Sequence, residues 1–110
     1  MFRYLYIVQS GAWFKIGYAE NVSDRLVSLQ SGNPMKLELY ASYDFDTARF
    51  HARYYESKLH EIFKRQRGIS EWFLLSSDDL DTIHRYCLAQ GATPLRWVKA
   101  DEAQSSEPNN

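Results

Sequence analysis

Apolar positions along the chain switch between a period of two and one near 3.6, and each switch marks an element. Tyr4 to Gln9 and Trp13 to Tyr18 are rich in β-branched and aromatic residues and flank Ser10-Gly11, a pair suited to a tight turn, which predicts a β-hairpin. With Ser10 and Gly11 as the loop, Tyr6 is expected opposite Lys15 and Tyr4 opposite Gly17. Asn21 is a good cap for a helix from about Val22 to Gln30 with the stripe Val22, Leu26 and Leu29, and Gly32-Asn33-Pro34 stops it. Lys36 to Phe45 alternates, with Leu37, Leu39, Ala41, Tyr43 and Phe45 on one face, and predicts a third strand covered on one side. Asp46 or Thr47 is placed to cap the longest helix, about Ala48 to Arg67, through Ala52, Tyr55, Leu59, Ile62 and Phe63. Glu71 to Leu75 reads as a short edge strand or extended segment. Ser77, with Asp78 and Asp79 behind it, is expected to cap a last helix to about Gln90 on the stripe Leu80, Ile83 and Cys87, with Gly91 as its stop.

Composition narrows the picture. A chain of 110 residues suits one domain with a modest core. The lone cysteine excludes an internal disulfide, and with no exported-type leader or long apolar run the expected setting is the cytoplasm. A formal charge of −1 argues against coating nucleic acid by bulk electrostatics, so any such binding has to be local. Charge is indeed uneven. Residues 47–67 hold Arg49, Arg53, Lys58, Lys64, Arg65 and Arg67 against Glu56 and Glu61, while residues 98–110 form an acidic and polar tail expected to be disordered.

Three features sit oddly for a plain fold. Tyr6 and Lys15 share a sheet face, where an ammonium would favour the phenolate, although an ordinary aromatic and cation pair looks the same in sequence. Arg25 falls on the apolar side of its helix, either snorkelling to solvent or pointing into a cleft. Glu56 lies on or beside the stripe of the long helix, where a carboxylate is costly unless paired or bound to metal; Arg25, Arg53 and His60 are candidate partners. Lys64, Arg65 and Arg67 suit either a solvated helix end or phosphate contacts.

Tyr4-Leu5-Tyr6-Ile7-Val8, Phe14-Lys15-Ile16-Gly17, Arg25-Leu26, Leu29-Gln30-Ser31-Gly32-Asn33-Pro34, Glu56 with Leu59-His60, and Glu71-Trp72-Phe73 occur in this order over about residues 3–80. The series resembles the GIY-YIG nuclease superfamily, in particular its T5orf172 or MUG113 branch. The resemblance implies an α/β domain of the α+β type over residues 1–97, a small three-stranded antiparallel sheet flanked by helices. It also implies a DNA endonuclease that hydrolyses phosphodiester bonds with Mg²⁺ or Mn²⁺, leaving 5′-phosphate and 3′-hydroxyl ends. Residue by residue it makes Tyr6 the general base, Arg25 the contact to the scissile phosphate and Glu56 the metal ligand, with Lys15 and His60 as further catalytic candidates. Lys15, Arg25, Lys58, Lys64, Arg65 and Arg67 are the expected DNA contacts.

The sequence departs from the superfamily where Tyr4 replaces the glycine of GIY and Lys15 the tyrosine of YIG; lysine there looks like the form common in the branch. Glu71-Trp72-Phe73 is read as structural. The competing reading is a nucleic-acid-binding module without catalysis on the same fold, with Trp13, Tyr18 or Trp97 meeting bases; a third is an assembly domain. So small a domain has little surface for reading a long site, which leaves room for a homodimer or a partner protein.

Overall fold

The hairpin forms in a register two residues away from the one its turn pair suggests. In the computed structural model, which describes residues 2–98, β1 (Tyr4–Ser10) and β2 (Trp13–Ala19) run antiparallel with Ser10 opposite Trp13, so the loop is Gly11-Ala12. Gly11 has a φ of +61°, which a residue without Cβ adopts at little cost. Tyr6 therefore faces Gly17, and Lys15 faces Val8, in place of the expected Tyr6–Lys15 and Tyr4–Gly17 pairs. A slip of two moves no side chain to the other face, so Tyr6, Lys15 and Gly17 still share one side of the sheet.

Helix α1 (Val22–Ser31) begins as expected, with the Asn21 side chain accepting the Asp24 N–H at 2.9 Å. Its last turn is fastened by Gln30, whose amide donates to the Asn33 and Met35 carbonyls and accepts the Leu37 N–H. Strand β3 (Glu38–Asp44) returns beside β1. A β-bulge at Tyr40 breaks the alternation read from sequence: Leu37 and Leu39 pack under α1, whereas Tyr40, Ala41, Tyr43 and Phe45 face the opposite side. The strand is therefore covered on both faces, not one.

The sheet has five strands, which corrects the three-stranded expectation. β4 (Trp72–Leu74) adds beside β2 and β5 (Thr93–Trp97) beside β3, giving the antiparallel order β4-β2-β1-β3-β5. β5 has no apolar alternation and contains Pro94, so the periodicity that reveals strands is missing from it. Helix α2 (Ala52–Ile62) is shorter than expected at both ends. The Asp44 carboxylate is occupied by Arg3 and the Asp46 N–H, Thr47 donates to the Gly91 carbonyl, and the Ala52 N–H finds the Phe2 carbonyl, so residues 45–51 form an anchored loop in place of a capped first turn. At the other end Lys64–Gln66 tighten into a 3-10 turn, so the three cations expected in the last turns of α2 lie beyond it. Helix α3 (Ser77–Ala89) is capped by Ser76 and not by the expected Ser77, because Ser76 stands three residues before Asp79 and the two close a capping box.

Two apolar clusters result. The larger joins Leu5, Ile7, Phe14, Ile16 and Tyr43 of the sheet to Tyr55 and Leu59 of α2 and Leu80, Ile83 and Cys87 of α3. The smaller sets Tyr6, Val8, Ala19 and Leu37 under the half-buried Val22, Leu26 and Leu29 of α1. Burial pushes the Cys87 thiol up to about 12, which keeps it an inert core residue at neutral pH. No helix among the described residues is long and apolar enough to cross a membrane. Of the tail expected to be disordered, residues 99–110 lie outside the described residues.

Candidate active site

The site is built around the absence of a side chain at Gly17. A Cβ there would overlap the ring and hydroxyl of Tyr6, so the phenol lies across β2 and carries its oxygen toward the strand's outer edge. β4 pairs with β2 only at Trp13, Phe14 and Lys15, and from Ile16 onward α2 takes over that edge. There His60 Nε2 lies 2.9 Å from the Ile16 carbonyl oxygen. A carbonyl only accepts, so Nε2 carries the proton and the imidazole is fixed to the strand beside Gly17. One turn earlier on α2, a Glu56 carboxylate oxygen stands 3.6 Å from the same nitrogen. Half-buried as it is, Glu56 has its pKa raised, chiefly by burial and further by Glu71, against the pull of His60, Lys15 and Arg53.

Burial likewise raises the pKa of Tyr6, which reverses the direction expected from a Lys15 neighbour. The cation that opposes this is Arg25, while the carboxylates of Glu56 and Glu71 add to it. Lys15 is engaged elsewhere, its Nζ 3.1 Å from a Glu71 oxygen, and this ion pair holds Glu71 below the usual carboxylate range. Arg25 itself is solvent-exposed and not on a buried face, because α1 is a light cover whose residues are at most half-buried. It still lies close enough to act on the phenol.

Tyr6, Lys15, Arg25, Glu56 and His60, drawn from β1, β2, α1 and α2, thus share one electrostatic neighbourhood. Other expected contacts lie apart from it. Lys64 pairs with Glu61 at 3.0 Å, Arg65 is exposed on the 3-10 turn, Arg67 donates to the Ser70 carbonyl at 2.9 Å, and the Lys58 ammonium sits over the Tyr54 ring on the outer side of α2. Trp13 rests on Gly68, and Trp97 is stacked on His84, which is itself bonded to the Tyr43 hydroxyl at 2.7 Å.

Glu71 is the residue sequence reading missed. Taken as part of a structural triplet, it enters the site because Trp72 pairs with Lys15 across the β2–β4 ladder. The available signal was an acid next to an edge strand lying against a lysine-bearing one.

Among the described residues no group of three or more His, Cys, Asp or Glu is arranged to hold a metal ion. What the site offers is the carboxylate oxygens of Glu56 with Glu71 near by, a hard donor set of the kind that suits Mg²⁺, an ion usually held by one or two carboxylates together with water and substrate phosphate. A five-stranded antiparallel sheet with three helices and a mixed phenol, carboxylate and cation cluster at one strand edge defines a small α+β domain with a charged edge site. Residues 3–87 match the T5orf172 domain, a domain associated with GIY-YIG-like nucleases, and the chain belongs to that family. No curated protein and no solved structure matches it.

Proposed function

We propose that the protein is a metal-dependent DNA endonuclease of the GIY-YIG superfamily, in its T5orf172/MUG113-like branch, working in the cytoplasm. The observation that carries this reading is that Arg25 and Glu56 both lie within electrostatic reach of the Tyr6 phenol, which rests on Gly17, since phosphodiester hydrolysis needs an activated water, a cation on the phosphoryl oxygens and a carboxylate able to hold a divalent ion. Mg²⁺ held by Glu56, with Glu71 as a second oxygen source, would supply charge neutralisation at the leaving oxygen.

The protein's own groups divide the remaining work. Arg25, exposed at the rim, meets the phosphate. Tyr6 takes the proton from water as the phenolate, after releasing its own proton to solvent; its raised pKa opposes that release, and a cation held at Glu56 and Glu71 would cancel the two carboxylate charges that add to the opposition. His60, anchored to Ile16, positions Glu56. Lys15 reaches phosphate on leaving Glu71.

The test is nicking of supercoiled plasmid and of a labelled single strand in Mg²⁺, Mn²⁺ or EDTA, by wild type and Glu56→Ala. Metal-dependent cleavage by wild type and a fall of about 10²-fold or more in the variant are expected. Full activity in Glu56→Ala would remove that residue from the mechanism. The second reading, a binding module without catalysis, is favoured by the engagement of Lys15 with Glu71 and by the raised Tyr6 pKa. Binding that persists in EDTA, with no cutting by folded protein in either metal, would establish it.

A further inference from the structure

The loop before α2 and the outer side of that helix carry a second concentration of chemistry. Phe50 in the loop and Tyr54 in the first turn keep 41% and 37% of their surface exposed, with ring centroids 4.3 Å apart and planes inclined by 35°. Each ring has a cation over it: Arg49 lies 5.3 Å from the Phe50 centroid and Lys58 5.3 Å from that of Tyr54. Two clefts of about 570 Å³ each open beside Phe50, and the one that runs along Tyr54 to Lys58 has a single acid in its lining, Glu61, whose charge is taken by Lys64 at 3.0 Å. Arg53 joins this surface to the candidate active site, since it lines the same cleft, acts on the Glu56 carboxylate and lies 5.9 Å from the ring of Tyr18, the residue after Gly17.

Paired rings left open to solvent and interleaved with cations have the makeup of a surface for unpaired bases. A base has a π face whatever its identity, so stacking is tolerant of sequence, and the cations meet the phosphates that accompany each base. In a duplex the base faces are already stacked on one another, so such a surface could take only the phosphates. We propose that Phe50 and Tyr54 form a stacking platform for a single DNA strand, with Arg49, Arg53 and Lys58 on its backbone and Arg53 leading that strand toward Glu56. The platform gives the nuclease reading a substrate form, an unpaired strand or the frayed part of a duplex, and it rests on that reading for its purpose but not for its binding.

The experiment measures fluorescence anisotropy of a labelled oligothymidylate and of a labelled hairpin duplex, both in EDTA, for wild type and the Phe50→Ala/Tyr54→Ala double variant. The expected result is a loss of about tenfold or more in single-strand affinity with duplex affinity changed less than about twofold. Tyr54→Ser alone, at a half-exposed position, serves if the double variant fails to show a cooperative melt. Unchanged single-strand affinity in a folded variant, equal losses on both forms, or no binding of the oligothymidylate by wild type would each overturn the proposal. Cleavage is read separately with Mg²⁺: cutting by wild type without ring-dependent affinity removes the platform and leaves the nuclease, whereas ring-dependent affinity without cutting removes the nuclease and leaves the platform.

Discussion

The two faces of the sheet are built to different standards. Under α2 and α3, residues such as Ile7, Ile16, Tyr43 and Ile83 have no exposed surface, and aromatic rings interlock from Phe45 through Tyr55 to Tyr86. Under α1 the cover is thin: none of its residues is fully buried, and Val27 on its outer side is largely exposed. Tyr6, Lys15 and Gly17 belong to the thin face, while Glu56 and His60 reach the β2 edge from the helix packed on the dense one. One face supplies rigidity and the other access, and the candidate chemistry stands where the two meet, which is how a small domain can fix a charged cluster without sealing it from a large substrate.

Cutting equivalent volume from each face should separate the two most widely. Ile83→Ala, at a fully buried position, should cost about 3 kcal/mol, and Leu26→Ala, half-buried beneath solvent, about 1 kcal/mol. Since about 1 kcal/mol shifts the melting temperature of a domain near this size by about 4–8 °C, circular dichroism melts resolve the two, and equal losses would erase the distinction. A cost of about 1–3 kcal/mol, no greater than that of Ile83→Ala, is expected from Gly17→Ala, which overpacks the thin face by pushing a methyl into the Tyr6 ring. Its nicking activity should fall much further than its stability. A variant that melts like wild type and cuts like it would show that the close approach of Tyr6 to Gly17 has no bearing on the reaction.

The smallest effect sharpens the boundary itself. Glu56 has a folded pKa above its ordinary value of about 4.5, so the folded protein holds this proton more tightly than the unfolded chain does. The stability this brings is fully present below about pH 4.5 and is lost as pH rises through the raised folded value. Glu56→Gln should therefore melt slightly higher than wild type at neutral pH, with the difference vanishing in acid. A lower melting temperature at pH 7 would mean that the His60, Lys15 and Arg53 attractions outweigh burial.

What could be read from sequence was whatever neighbouring residues decide among themselves. Asn21 and the stripe of α1, the Leu80, Ile83 and Cys87 stripe of α3, and the two hairpin strands follow from local period and capping. Tyr6, Arg25 and Glu56 stood out for reasons kept only in part: Glu56 is half-buried beside His60, whereas Tyr6 faces Gly17 in place of Lys15 and Arg25 is exposed. Features settled by distant groups were hidden. The start of α2 depends on the Phe2 carbonyl, and the switch of faces at Tyr40 on a bulge that one strand's pattern does not announce. Glu71 has an ordinary place in sequence and becomes part of the cluster only through the pairing of Trp72 with Lys15.

The order of the strands bears on self-association. Long, flat borders of unpaired N–H and C=O groups are templates on which chains aggregate, and this sheet ends in two poor ones. β4 has three residues, and Phe73 within it already bridges to Arg67; β5 has Pro94, which has no N–H to donate, and Arg96, whose side chain turns back to the Leu39 carbonyl. The long, regular strands β1, β2 and β3 lie inside these guards, so the segments most prone to form fibrils are kept from other copies of the chain for as long as the short outer strands hold.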